Sequence, residues 1–204
     1  MSAFLPQKMA KEEVFVSQIT KEQAKDLIDK HHYLGSKGFR CVVAYGLFVG
    51  PDMIGAAVYH GPSAPETIVG AFGLTRTDQD GFWELGRMVL EKGKNGKNYG
   101  SMLIGRSIRL LRKNYLVRAL ITYAESTRHY GALYQAANFT YCGLTKPKKD
   151  FYLPDGRKKE RGITKGIEGI WKDRPKKHRY VLVFDKNLTL KWNISPYFKE
   201  KPNE

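Results

Sequence analysis

Glu125, Ser126 and His129 follow directly on an apolar run, Arg118 to Ala124 (RALITYA), and are the residues best suited to do chemistry. The run reads as a strand, and open α/β sheets bind their ligands beyond the carboxyl ends of their strands. A carboxylate there can act as general base, or hold an amine or a metal. His129, four residues on, is placed to face the same cleft and has a side chain that titrates near neutrality. Two plainer readings stand beside these: Glu125 as a cap on the helix that follows, and His129 as a hydrogen-bonded structural residue.

A second candidate runs from Trp83 to Lys113. Trp83 to Leu90 reads as a strand that includes Met88, Lys92 to Asn98 as a Gly- and Asn-rich loop, and Tyr99 to Lys113 as an amphipathic helix. The loop carries Lys92, Lys94, Asn95 and Asn98 and opens the helix at Gly100 and Ser101. The N-terminus of a helix leaves backbone N–H groups unsatisfied at the positive end of its dipole, which suits a phosphate. An ordinary strand–turn–helix crossover would use the same turn formers. Charge favours the anion, because Lys92 to Arg118 holds eight Lys or Arg and no Asp or Glu.

Two charged residues interrupt the strand. Period-two alternation sets Glu84 on one face and Arg87 on the other. Burying either is costly unless it is paired, so Arg87 is expected to meet a carboxylate or a phosphate, with an ion pair inside the sheet as the structural alternative. His31, His32 and Tyr33 close the first predicted helix, and His60 ends a predicted strand. Several histidines with a carboxylate would suit a transition metal such as iron, which makes His32, Tyr33, Glu125 and His129 metal candidates against simple helix-end packing.

The formal charge of +15 lies on two segments. Lys92 to Arg118 contributes +8, and Lys146 to Arg179, with thirteen basic and five acidic residues, contributes another +8. Such concentrated charge favours a polyanion through counterion release, and duplex DNA is the leading partner; a solubilising surface is the alternative. Phosphate-contact candidates are Arg106, Arg109 and Lys113 on the helix, and Lys148, Lys149, Arg157, Lys158, Lys159, Arg161, Lys176, Lys177 and Arg179 beyond it. Phe151, Tyr152 and Trp171 lie among the latter and could stack on an unpaired base or cover the core. No apolar run approaches a membrane span and the first residues lack a signal-peptide pattern, so a soluble intracellular protein is expected, with no membrane partner. Cys41 and Cys142 read as buried free thiols.

The positioning elements follow from periodicity. Val14 to Ile19 alternates as a strand, and Thr20 with Gln23 opens a helix that presents Ala24, Leu27 and Ile28 on one face and ends near Gly35. Arg40 to Val49 and Met53 to His60 read as strands joined at Gly50-Pro51-Asp52. Gly61 to Gly81 is a long connection. Ser126 or Thr127 is expected to cap a short helix carrying Tyr130, Leu133, Tyr134 and Ala137 and ending at Asn138. Phe139 to Leu144 is a strand, Leu153 to Arg157 turns between two weak strands, and Arg179 to Phe184 is the last strand before a tail expected to be poorly ordered. The order predicts an α/β (α+β) fold, a mixed central sheet flanked by helices, with residues 1–145 as the catalytic part and 146–204 as a basic, β-containing extension of the same domain.

That element order resembles the GNAT acyltransferase fold, and the sequence resembles more narrowly the phage Mom family of DNA-modification proteins. The matching blocks are AFGLTRTDQDGFWELGRMVL, KNYGSMLIG and ITYAESTRHYGALYQAANFTYCG, roughly residues 71 to 143. In the last, His129, Gly131, Tyr134, Ala136, Asn138 and Gly143 follow the family pattern without a gap. Asn95, Asn98 and Gly100 replace the Arg or Gln, Gly, and Gly or Ala usual in coenzyme A loops, and Glu125 replaces the Asp usual in Mom proteins.

The resemblance implies a transferase that adds a carbamoylmethyl or related group to adenine N6 in DNA and so protects it from restriction enzymes. Glu125, Ser126, His129, Tyr134, His32, Tyr33 and Arg87 would serve catalysis. Met88, Leu90, Lys92, Lys94, Asn95, Asn98, Gly100 and Ser101 would hold acyl-coenzyme A or another small group donor, with iron as a candidate metal. His32 and Tyr33 would border the acceptor groove and touch a flipped base. The setting would be the cytoplasm of an infected or lysogenic bacterium, and a homodimer is left open. Two alternatives stand. One is an acyl-coenzyme A N-acetyltransferase acting on a small amine or a protein lysine, with Ser126 or Tyr134 serving the thiol. The other is a DNA-binding module of the same fold without catalysis.

Overall fold

The protein is described by a computed structural model covering residues 13–93, 98–159, 162 and 164–197. Its class is the expected one, mixed α/β with mostly antiparallel sheet and accompanying helices. The chain divides into two compact units, residues 1–60 with 85–115, and residues 61–84 with 116–204.

In the first unit β1 (Val14–Ile19) pairs antiparallel with β2 (Val43–Val49), and β2 with β3 (Asp52–His60). The tight β2–β3 turn is possible because Gly50 takes a positive φ of 56°. Strand β2 begins at Val43 and not at Arg40. Helix α1 (Lys21–His31) starts at the predicted capping box, with Gln23 N donating to Thr20 Oγ1 and Thr20 N to Gln23 Oε1. It ends earlier than Gly35, because His32 is already extended at φ −94° and ψ 134°. Its apolar face, Ala24, Leu27 and Ile28, is buried with Ala44, Ala56, Val58 and Val89. Strand β4 (Phe82–Leu90), which belongs to this unit from Leu85 on, leads to helix α3 (Tyr99–Asn114), which buries Leu103, Ile104, Ile108 and Leu111. One polar link lies inside this core, 2.7 Å between the Tyr59 and Ser107 hydroxyls.

In the second unit β5 (Ala119–Glu125) pairs antiparallel with β9 (Lys177–Val183), and β9 with β6 (Thr140–Leu144). The last segment of the chain thus supplies the strand between β5 and β6. The long connection after His60 contains an unforeseen helix, α2 (Glu66–Phe72), and its Ile68, Ala71 and Phe72 are buried with Phe82, Ile121, Cys142 and Val181. The tail is also placed, through 197. Leu188, Leu190 and Trp192 pack on that cluster, and Lys191 N and Ser195 N donate to Ala71 O and Tyr141 O. Apolar contact and backbone pairing together outweigh its charged composition.

Helix α4 (Ala132–Ala136) has Gly131, φ 85°, as its N-cap, not Ser126 or Thr127, and Ala137 as its C-cap. A Cβ on Gly131 would stand 2.7 Å from the Tyr180 ring, so only glycine permits this approach. The turn after Leu153 lies where expected, but the partner of β7 (Lys148–Tyr152) is β8 (Ile170–Arg174), further along the chain. Among the described residues no helix is long and apolar enough to cross a membrane. Cys41 and Cys142 are free, Cys142 buried and Cys41 only half-buried.

Candidate functional site

Glu125 ends β5 opposite Lys177 of β9, as the antiparallel register requires. The chain then folds back tightly. Arg128 N and His129 N donate to Glu125 O at 3.0 and 3.1 Å, and Ser126 N donates to Lys176 O at 3.0 Å. The carboxylate is fixed by the same turn, with Thr127 Oγ1 donating to Oε1 at 3.1 Å and Arg128 Nε at 3.3 Å. Glu125 therefore anchors the turn that follows β5 and does not cap a helix, because α4 begins only at Gly131. The described bonds all fall on Oε1, which leaves Oε2 as the face for a donor proton.

His129 feels this carboxylate. Desolvation lowers its pKa from 6.5, the Glu125 charge opposes that, and Arg128 adds to the lowering. A neutral imidazole near neutral pH is the consequence. Ser126 is half-buried beside it. Tyr134 is held as an aromatic wall, with ring centroids 5.9 Å from Phe139 and 5.5 Å from Tyr180.

Three residues that the sequence pattern does not single out, His178, Tyr141 and Tyr180, complete the arrangement. His178, next to Lys177, is buried, and its Nδ1 lies 2.8 Å from the Tyr141 hydroxyl. Burial lowers its pKa and the nearby His129 adds to that. Tyr180 donates to Tyr130 O, accepts from Gln135 Nε2 at 3.0 Å, and is pushed by burial to about 12. The signal was the alternation of His178, Tyr180 and Leu182 in β9, which is lost when the strand is started at Arg179.

Glu84 is buried and accepts from Ser63 N at 3.0 Å, so a backbone amide and not an ion pair meets it. Its charge, after burial, helps hold the Tyr123 phenol up at about 12.

In the first unit His32 and Tyr33 stack at 4.6 Å, and His32 Nδ1 accepts from Leu34 N at 3.2 Å. Arg87 meets two backbone carbonyls and, among the described residues, no carboxylate. Its Nη1 donates to Gly86 O at 2.8 Å and Nη2 to Lys37 O at 2.9 Å, which ties the segment after α1 to β4. The two carbonyls meet Nη1 and Nη2, while the buried Nε has no hydrogen-bond partner among the described residues. Beside it the His60 ring closely covers Gly86, where a Cβ would stand 2.2 Å from Nε2.

Met88 and Leu90 are half-buried on β4 and Lys92 is exposed, whereas Lys94 and Asn95 lie outside the described residues. Asn98 sits at φ 69° and ψ 9°, makes no side-chain cap, and receives the Ser101 hydroxyl on its carbonyl at 3.1 Å. The first turn of α3, with Gly100 buried, therefore offers uncapped N–H groups, which fit a phosphate of a group donor.

Among the described residues no three His, Cys, Asp or Glu gather as a metal site, so the four metal candidates form no ligand set. The DNA candidates also divide. Arg106 donates to Val14 O, Arg179 donates to Cys142 O at 2.7 Å and lies 4.5 Å over the Trp192 ring, and Lys158 is ion-paired to Asp150 at 2.8 Å. These three have structural roles. Arg157 is exposed but ion-paired with Asp155 at 2.7 Å, and Lys159 is half-buried. Arg109, Lys113, Lys148, Lys149, Lys176 and Lys177 are exposed, and Arg161 lies outside the described residues.

The architecture is that of the GNAT acetyltransferase fold. It is similar to a Bacillus subtilis acetyltransferase in complex with CoA (TM-score 0.50, 15% identity, covering 85% of this chain and 99% of that one). It is similar as well to the Escherichia coli ribosomal-protein-S18-alanine N-acetyltransferase (0.51, 13%, 87% and 99%) and to a Drosophila melanogaster polyamine N-acetyltransferase (0.52, 11%, 84% and 100%). Within that fold the chain belongs to the Mom protein family, whose profile matches residues 13–199. No curated protein matches it by sequence. The family match reaches well beyond residues 71–143 and takes in the basic C-terminal segment.

Proposed function

We propose that the protein is a GNAT-fold transferase that places a carbamoylmethyl or related group on N6 of adenine in duplex DNA, protecting that DNA from restriction enzymes. The observation that carries this reading is the Mom family match over residues 13–199, which includes both strongly basic segments. Glu125 supplies the base. Its carboxylate is held through Oε1 by Thr127 and Arg128, and Oε2 takes the proton that N6 loses as its new bond to carbon forms. His129, with its lowered pKa, stays neutral beside the carboxylate and accepts a hydrogen bond from the N–H that the amine keeps. A small activated group donor would supply the carbon, its bond to the leaving group breaking with the electron pair as the bond to N6 forms. Adenine N6 is paired inside a duplex, so the base must be exposed before reaction, and the exposed lysines hold the flanking phosphates.

The test is nucleoside mass spectrometry of plasmid DNA from bacteria that express the protein. A mass increment on deoxyadenosine is expected. Glu125→Gln keeps the acceptor oxygen for Thr127 and Arg128, so it should bind DNA normally and lower modification about a hundredfold or more. Unmodified adenine at good soluble expression sinks the reading. Modification undiminished in Glu125→Gln removes Glu125 from its role.

A further inference from the structure

The β7–β8 ribbon is the most unusual surface of the second unit. All five residues of β8 are exposed, and Ile170 and Trp171 show 58% and 55% of their surface to solvent. As neighbours in a strand they project to opposite faces, Trp171 with Phe151 and Ile170 with Tyr152, and a large ring left this exposed is costly unless something covers it. They stand in the segment Lys146 to Arg179, with thirteen basic and five acidic residues, which excludes an apolar or cationic partner and favours a polyanion.

The ribbon is built to hold this edge rigidly. Register pairs Phe151 with Trp171 and Tyr152 with Ile170. Phe151 is buried and meets the Trp171 ring edge-on at 5.2 Å and 66°, which fixes the indole while leaving most of it in water. Gly169 lets the strand come this close, since a Cβ there would stand 2.3 Å from Tyr152 O and 2.6 Å from the Phe151 ring. Buried Asp150 is bonded by Arg174 from the facing strand and by Lys158 from the bend, so one carboxylate clamps both ends of the ribbon. Lys172 lies 4.9 Å over the Tyr152 ring, and Lys148 and Lys149 are exposed. The ribbon thus combines a fixed aromatic edge with phosphate-binding charge.

We propose that this ribbon is a duplex-DNA contact element in which Trp171 stacks at the base step beside the displaced adenine and occupies the space it leaves. The inference rests on the DNA reading above and deepens it. Of the three aromatic residues in the basic segment, Phe151 is buried and Tyr152 is half-buried under Lys172, which leaves Trp171 as the stacking residue. Trp171 is six residues before Lys177, the partner of Glu125 in the β5–β9 ladder, so chain length alone keeps the two within roughly 20 Å. That is a few base steps, close enough for one protein to open a base and reach it.

The experiment uses the full chain with duplex oligonucleotides that carry 2-aminopurine in place of one adenine. The parent protein should raise 2-aminopurine fluorescence as the base unstacks, and the Trp171 emission should be quenched. Trp171→Ala should lose the rise and weaken binding about tenfold, with the slope of log K against log salt unchanged, while Trp171→Phe should retain both. Replacing Lys148, Lys149 and Lys172 together by Ala should instead flatten the slope by about 0.9 for each phosphate that is no longer neutralised. A parent protein that binds duplex DNA while Trp171→Ala unstacks the base equally well overturns the wedge and leaves the DNA reading standing. No binding of duplex by the parent overturns both. Trp171-dependent binding to phosphatidylglycerol vesicles but not to DNA assigns the ribbon to a membrane and overturns the proposal.

Discussion

The Tyr141 hydroxyl lies 2.8 Å from Nδ1 of His178, with both side chains buried between β5, β9 and β6. This bond ties the strand that carries Lys177 to its outer neighbour. It also makes the fold sensitive to acid. Burial holds the His178 pKa below the ordinary 6.5, so the unfolded chain takes up a proton before the folded one does. Stability is therefore complete above pH 6.5 and falls as the pH drops from there toward the lowered folded value. Urea denaturation at pH 7.5, 6.5 and 5.5 should show this decline. His178→Gln should flatten it in part, the remainder belonging to His129, which is lowered as well. A parent protein equally stable at the three values would refute the assignment.

Asp150 is the second titrating clamp. The Arg174 guanidinium, assisted by Lys158, holds its carboxyl down at about 2. Its stabilisation is present above the unfolded value of 3.8 and is lost as pH falls through about 2. Asp150→Asn at neutral pH should cost about 1–2 kcal/mol, because the cations are partly exposed and screened. The loss should be confined to the ribbon, read as faster amide exchange in residues 148–152 and 170–174 with the β5–β9 amides unchanged. Uniform exchange across both sheets would show that the ribbon does not open by itself.

Gly131 sets the position of the wall formed by Tyr134 and Tyr180. At φ 85° a side chain is strained, and a Cβ would stand 2.7 Å from Tyr180 and 3.0 Å from Tyr134. Gly131→Ala should destabilise by about 1–3 kcal/mol. Under the proposed function, adenine modification should fall with it, because the displaced Tyr134 borders the turn that Glu125 anchors. Unchanged denaturation and activity would mean that the turn relaxes freely.

Most of the first unit was legible in the sequence because it is built from strictly local signals. Alternation gave β1 to β3, and Thr20 with Gln23 gave the start of α1. The second unit was harder where the signal is tertiary. Pro62 and Pro65 disguised α2, and exposed Ile170 and Trp171 in a charged stretch did not look like a strand. Leu188, Leu190 and Trp192, spread among lysines, become apolar anchors only once α2 exists to receive them. Glu125 and its turn were legible from the strand end, but its bonding was not, since the positive φ of Gly131 moves the helix start beyond Ser126 and Thr127. His178 was missed because charge at Lys177 and Arg179 masked a strand that continues through them.

Strand β9 has one further consequence, in the order of synthesis. Ala119 pairs with Val183 and Tyr141 with Tyr180, so β5 and β6 leave the ribosome before the strand that joins them. Until Lys177 to Val183 emerges, each of the two exposes an unpaired edge that invites pairing with another chain. Such non-local closure is slow, and the ribbon, made from the residues between, can form its own hairpin while the sheet still waits. The nascent second unit thus passes through an aggregation-exposed interval, and its length is set by translation of the segment from Lys146 to Val183.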